Sequence, residues 1–300
     1  MRRALALLAF ALTACSTVPP HRARVMFDDF SYASPAELAS HGWIVRTEQG
    51  WPGVPGAAWD NDSISFTKDP SMKGNRLMRL SSSTDGSGAN TRQAQICHQR
   101  KYLEGTYAAR VRFNDLPVAG PNGDQIVETF YMISPLKAPM DPDYSELDFE
   151  YLPNGGWQHT APTMFETTWE TFSPEPDWKA DNVSSNQEGP LAGWHTLVTQ
   201  VANEHVQYWI DGKPVADHVG RYYPESMMSI DFNLWFVRTG LISSIDTRRY
   251  DEDVDWVFFS TDALTPANVE STVADLRRQS VSFRDTVAAP VPPLSSPCNF

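Results

Sequence analysis

Residues 146 to 150 read Glu146-Leu147-Asp148-Phe149-Glu150, with a carboxylate at every second position and an apolar residue between each pair. A β-strand repeats with the same period of two, so the three acids point to one face while Leu147 and Phe149 point to the other, into a core. At a rise of about 3.3 Å per residue the backbones of the two glutamates lie about 13 Å apart. On a curved sheet their side chains lean together, toward the roughly 5–5.5 Å at which one carboxylate attacks a sugar while the other protonates the leaving oxygen. Three like charges on one strand face repel one another and push at least one group toward protonation, a cost that structure alone gives no reason to carry. A solvated acidic face is the alternative for such a pattern, and the surrounding sequence has to choose between the two.

The elements around the triplet are strands. Thr106–Phe113, Ile126–Ile133, His195–Val201, His205–Ile210, Met227–Val237 and Val254–Phe259 all carry β-type composition between turn signals. Asn203-Glu204 joins two of them as a hairpin, and Asp211-Gly212 is a further strong turn signal. Strands at this density with almost no helical periodicity predict an all-β antiparallel sandwich or jelly roll. Only the end departs from this. Thr265-Pro266 opens a segment of helical composition that runs to Gln279, with proline near its start as helices prefer. The expected organisation is one jelly-roll domain over residues 25–262, then a short C-terminal helix and a Pro-rich tail, disordered or tethered, over 263–300.

Length and composition agree with a single folded domain. The chain has 300 residues, 41% of them apolar, enough for a sizeable core. A net charge of −13 disfavours an electrostatic grip on nucleic acid or on an anionic membrane surface, since both need clustered Lys and Arg. It also disfavours heavily sulfated polymers. Ten Trp and ten Tyr are many for this length, and exposed aromatic faces can stack on sugar rings, which are apolar on one side and polar at the rim.

The N-terminus reads as an address. Arg2-Arg3 precede an apolar stretch from Ala4 to Leu12, too short to cross a bilayer and shaped like a signal peptide over residues 1–14. Leu12-Thr13-Ala14-Cys15 resembles a bacterial lipobox, which would make Cys15 a lipidation site and residues 15–24 a lipidated linker. An ordinary secretory signal with an incidental Cys15 is the alternative. Ser16 after the cysteine points to the outer membrane if the host has one. The expectation is therefore an exported protein that meets the membrane only through this anchor. The remaining cysteines, Cys97 and Cys298, could pair in an exported chain and pin the Pro-rich tail to the sheet, or stay as two separate thiols.

The triplet and four further segments resemble the family 16 glycoside hydrolases. Glu146-Leu147-Asp148-Phe149-Glu150 is similar to that family's ExDxE signature in its unbulged form, as in lichenase- and laminarinase-like members. Trp194-His195-Thr196 through Tyr208-Trp209-Ile210-Asp211-Gly212 resembles its central hairpin, and Phe232-Asn233-Leu234-Trp235 a cleft strand. Asp255-Trp256-Val257 is similar to the closing strand, and Phe27-Asp28-Asp29-Phe30 to the opening one. The resemblance thus covers nearly all of the chain up to about Ser260.

The resemblance implies a concanavalin-like jelly roll and a retaining double displacement, with Glu146 as nucleophile, Glu150 as acid/base and Asp148 tuning the pair. Asn233 and Trp235 would line the cleft, and Trp157, Trp169 and Trp178 are candidate stacking platforms, with core or edge packing as the alternative. It implies no catalytic cofactor. Members often carry a structural calcium near the chain ends, for which Asp28 and Asp255 are the candidates. Ser145 departs from the Asp that lichenase-like sequences commonly place before the first glutamate.

Other chemistries find no support in the motifs. Asp141, Asp143 and Ser145 begin like a calcium loop, but Glu146 stands where that loop needs glycine and Leu152 where it needs its bidentate glutamate. The seven histidines show no zinc spacing and no serine lies in a nucleophile elbow. The expected function is endo-acting, retaining hydrolysis of a β-linked polysaccharide by a monomer, with a neutral β-1,3- or β-1,3-1,4-glucan first among substrates. A transglycosylase and a non-catalytic glycan-binding lipoprotein are the alternatives.

Overall fold

The computed structural model describes residues 23–174, 176–295 and 298. The expected signal segment and the candidate lipidation site Cys15 lie outside the described residues. Strands dominate, and they fold into two layers. The first layer runs, edge to edge, through Lys179–Glu188, Thr163–Ser173, Glu146–Leu152, Ile126–Ile133, Asp231–Phe236, Arg92–His98 and Trp43–Val45, every pair antiparallel. The second runs through Lys213–Val219, His205–Ile210, Gly193–Ala202, Gly105–Phe113 and Arg248–Ser260. The long strand Arg248–Ser260 pairs through its first half with Arg76–Thr84 and through its second with Val25–Asp28. Ser83 opposite Arg92 connects the layers at one corner, where Ala58–Trp59 adds to Arg92–His98 in parallel.

The jelly-roll sandwich expected from the strand pattern is therefore present, and its core lies between the layers. Leu147, Phe149 and Tyr151 all face it. The Phe149 ring meets Tyr208 of the other layer at 5.3 Å and Tyr151 meets Phe113 at 5.2 Å. Burying a side chain of this size contributes about 1.5–3 kcal/mol, which fixes the strand's facing and leaves its acids on the opposite side.

Turn chemistry explains the hairpins. Asn203 and Glu204 both have positive φ, and so do Asp211 and Gly212, as two-residue turns between right-twisted strands require. The helix runs over Pro266–Arg278, with the Thr265 hydroxyl accepting from Asn268 N and Pro266 in its first turn. It buries Val269, Val273 and Leu276, spaced four and three residues apart, against Phe27, Val198, Trp256 and Phe258.

Several boundaries differ from the sequence reading. Met227–Val237 does not form one strand. The strand is Asp231–Phe236, because Met228 pairs instead with Tyr102 in an isolated bridge. Val254–Phe259 extends back to Arg248, through a half whose charged residues hid its strand character. The tail is not bare, since Phe283–Asp285 adds to the open edge of Val25–Asp28. Cys97 and Cys298 form a disulfide across 201 residues, so the pairing that the sequence left open is the one that occurs.

Candidate active site

Glu146, Asp148 and Glu150 stand on one face of an inner strand of the first layer, opposite the core. On one side they face Ile133, Tyr131 and Thr129 in register, and on the other Trp169, Thr167 and Phe165. These neighbours share their face, so the acids form the floor of a cleft of about 770 Å³. Its walls come from the loop at Trp51–Gly53, the hairpin bearing Trp169 and Trp178, and the loop bearing Trp157.

The triplet has a structural counterpart that sharpens its meaning. Asp251, Asp253 and Asp255 repeat the same alternation on Arg248–Ser260, yet each is neutralised. Arg249 pairs with Asp251 at 3.1 Å, and Arg79 grips both oxygens of Asp253 at 2.7 and 2.9 Å. Arg110 and Arg277 meet Asp255 at 3.0 and 2.8 Å. Among the described residues no Lys or Arg pairs with Glu146, Asp148 or Glu150. An acidic strand kept for stability is ion-paired; this one is left uncompensated, as reactive carboxylates are.

The electrostatics follow from that difference. Burial pushes Glu146 up to about 7, and the Tyr144 hydroxyl, which donates to its Oε2, acts against the rise by favouring the ionised form. Glu150 is pushed up to about 8, by burial first and by the negative Glu146 second, and among the described residues no hydrogen bond opposes it. Asp148 is raised well above the usual carboxylate range by burial and by both glutamates, while the Trp169 indole N–H, 2.7 Å from Oδ2, pulls the other way. Of the two glutamates, one has a donor that stabilises its charge and the other does not. That asymmetry suits a carboxylate that must ionise beside one that must hold a proton at neutral pH.

Asn233 and Trp235 both face the cleft, from the strand on the far side of Ile126–Ile133. The Thr129 hydroxyl donates to Asn233 Oδ1 at 2.6 Å, which orients the amide beside the Glu150 row. Trp157, Trp169 and Trp178 all line the cleft; Trp157 and Trp178 are exposed and Trp169 is half-buried. Trp169 therefore has a double place, in the wall and on Asp148.

Residues that the sequence reading missed include Tyr144, Tyr131 and Trp51. Tyr144 lies two positions before Glu146, so the period of two could have found it. Tyr131 accepts a hydrogen bond from Gln95 Nε2 at 2.8 Å, and Gln95 in turn accepts from Arg46 Nη1 at 2.9 Å. That chain links the floor to the loop carrying Trp51, and no local pattern signals it.

The candidate calcium ligands do not fit a metal. Asp255 is enclosed by Arg110, Arg277 and Asn75 Nδ2, and Asp28 accepts from Tyr32 and from Trp43 Nε1 at 2.8 Å. Among the described residues no three or more His, Cys, Asp or Glu are grouped to hold an ion.

Comparison with known proteins identifies the fold. The fold matches a β-glucanase from Bacillus licheniformis with a TM-score of 0.56 at 16% identity, covering 79% of this chain and 97% of that one. It matches porphyranase B from Zobellia galactanivorans with a TM-score of 0.58 at 15% identity, covering 84% and 97%. The κ-carrageenase from Pseudoalteromonas carrageenovora, in complex with a κ-carrageenan oligosaccharide, matches with a TM-score of 0.54 at 14% identity, covering 83% and 99%. No curated protein sequence matches the chain. The family model described as glycosyl hydrolases family 16 matches residues 57–257, and the chain accordingly belongs to that family.

Proposed function

We propose that the protein is an endo-acting, retaining hydrolase of a β-linked polysaccharide. The observation that carries this reading is the unpaired acidic triplet on the floor of an aromatic-walled cleft. Ionised Glu146 attacks the anomeric carbon as Glu150 gives its proton to the departing glycosidic oxygen, leaving an ester between Glu146 and the sugar. Glu150, now a base, takes a proton from water, whose oxygen attacks the same carbon and frees Glu146. Asp148, held by Trp169, adjusts both neighbours through their charges.

A neutral β-1,3- or mixed β-1,3-1,4-glucan stands first among substrates. Beside the acids, the cleft presents Trp faces and neutral groups such as Asn182, Ser184 and Thr167, which suit hydroxyl-rich sugars without charge of their own. Arg238, exposed at the rim, is the only basic residue among the described lining residues. Neighbours acting on glucan, carrageenan and porphyran share the fold, so the fold by itself does not choose. Export and anchoring through Cys15 complete the proposal; Cys15→Ser should release the protein from membranes or leave it unprocessed, and unchanged processing and solubility would remove the anchor.

The test of the chemistry is substitution within the triplet. Glu146→Gln and Glu150→Gln keep the shape of each side chain, so both should fold and retain glycan while turnover falls by about 10³ or more. With azide, Glu150→Ala should recover activity and Glu146→Ala should give a product of inverted configuration. A parent enzyme that releases inverted product, or a fully active Glu146→Gln, sinks the double displacement. A parent that retains glycan but cleaves none favours the non-catalytic alternative.

A further inference from the structure

Behind Trp51 lies a second cavity of about 430 Å³. It shares Trp51 and Phe172 with the catalytic cleft, so one pair of rings forms a wall between the two spaces. The Trp51 ring crosses from the loop that packs on Arg92–His98 to reach Phe172 at 5.7 Å and Trp178 at 6.4 Å, on the opposite hairpin.

The backbone under that ring is well held. Arg46 donates from Nε to Glu48 O at 2.9 Å and from Nη2 to Trp51 O at 3.0 Å, and Trp59 Nε1 donates to Gly50 O at 3.3 Å. Gly53 has φ +105°, and a Cβ there would fall 2.2 Å from the Gln93 side chain, so the loop lies flush on the strand. Trp51 is 48% exposed, and its ring meets Phe172 and Trp178 at tilted angles. The side chain can turn about its own torsions while the backbone stays fixed, and stacking on an arriving sugar takes the place of the ring contacts it leaves.

The lining of the second cavity matches what a sugar unit offers. Apolar surface comes from Trp51, Leu136 and Pro139, and polar groups come from Glu48, Gln49 and Lys137. A pyranose ring pairs an apolar face with a rim of hydroxyls. We propose that this cavity is an outer binding site for the same glycan, continuous with the catalytic cleft once the Trp51 ring turns away from Phe172. The inference rests on the glycan-cleaving reading and adds to it a place where a long chain gains affinity that a short one does not.

The test uses the full chain with Glu146→Gln, which removes turnover, and variants that fill the outer cavity. Ala138→Trp fills it from the exposed segment on one side and Gln49→Trp from the loop on the other; both positions are exposed, and melting curves check that each variant folds. The probes are laminarin, lichenan, xyloglucan, agarose and carrageenan in affinity electrophoresis, followed by trimers and hexamers of whichever polymer is retained. Either filling variant should weaken hexamer binding at least tenfold and leave trimer binding within twofold. Equal loss for both lengths, or loss for neither, overturns the outer site. So does a Glu146→Gln protein that retains no glycan at all. Retention of glycan with this length dependence, in a protein whose parent form hydrolyses none, would end the hydrolase reading and leave the outer site in place.

Discussion

The Trp169 indole donates a 2.7 Å hydrogen bond to Asp148 Oδ2 while its backbone stands in register with Glu146 on the adjacent strand. One side chain thus joins the cleft wall to the middle of the acidic triplet. Its ring continues into Phe172 at 5.9 Å and Trp178 at 6.2 Å. Trp169→Phe keeps most of the wall and deletes the donor, so Asp148 loses the bond that opposes its protonation. Turnover should fall about tenfold with a smaller change in KM, since one hydrogen bond to a charged group is worth roughly 1.5–3 kcal/mol. Steady-state kinetics on a soluble glucan measure this; a change confined to KM would make Trp169 a stacking platform only.

Tyr144→Phe should move the acid limb of the pH profile. The hydroxyl donates to Glu146 and favours its ionised form, so deleting it raises the pKa of Glu146. The group then needs a higher pH to ionise, and the acid limb of kcat/KM should move upward by about 0.5–1 on the pH scale. A profile that overlays the parent's would mean that the hydroxyl does not act on Glu146.

Glu150→Gln should stabilise the protein at neutral and alkaline pH. Folding raises this pKa from 4.5 to about 8, so between those values the folded state keeps a proton that the unfolded state has lost. Stability contributed in this way is present below the unfolded value and falls as pH rises to the folded one. Glutamine removes the penalty. The gain should be near zero at pH 4 and grow to several kcal/mol by pH 8, because each tenfold change in proton affinity is worth about 1.4 kcal/mol. Melting temperatures of both proteins across that range provide the comparison. A gain independent of pH would contradict the raised pKa.

Asp253→Ala should do the reverse. Arg79 holds both oxygens of Asp253, which is 1% exposed, so removing the acid leaves a guanidinium with half its partners gone. A loss of about 1.5–3 kcal/mol is expected, the worth of a hydrogen-bonded charged group, since Arg79 is partly exposed and keeps Asp251. Chemical denaturation of the variant measures it. Asp253 and Glu150 lie on strands with the same alternation of acids, and opposite signs of stability change would separate the structural pattern from the reactive one.

Cys298→Ser should lower stability without touching the chemistry. The bond to Cys97 closes a loop spanning 201 residues, and a native disulfide contributes about 2–4 kcal/mol, largely by restricting the unfolded chain. The variant should melt earlier, and reductant should lower the parent's melting point while leaving the variant's unchanged. A parent indifferent to reductant would show that the two thiols are not joined in solution.

The local sequence by itself determined the layered β-architecture and the facing of the acidic triplet, because a period of two fixes which side chains share a face before any strand finds its neighbour. The same rule placed Leu147 and Phe149 in the core, and turn residues such as Asn203 and Asp211 marked the hairpins. Tertiary structure decided what the period cannot carry. Glu146–Glu150 and Asp251–Asp255 read alike along the chain, and only packing shows that arginines from strands and the helix neutralise one and leave the other bare. The disulfide, the return of Phe283–Asp285 to the edge strand and the reach of Trp51 across the cleft all join residues far apart in sequence. Such contacts depend on which layers meet and at what distance, and no local pattern encodes that.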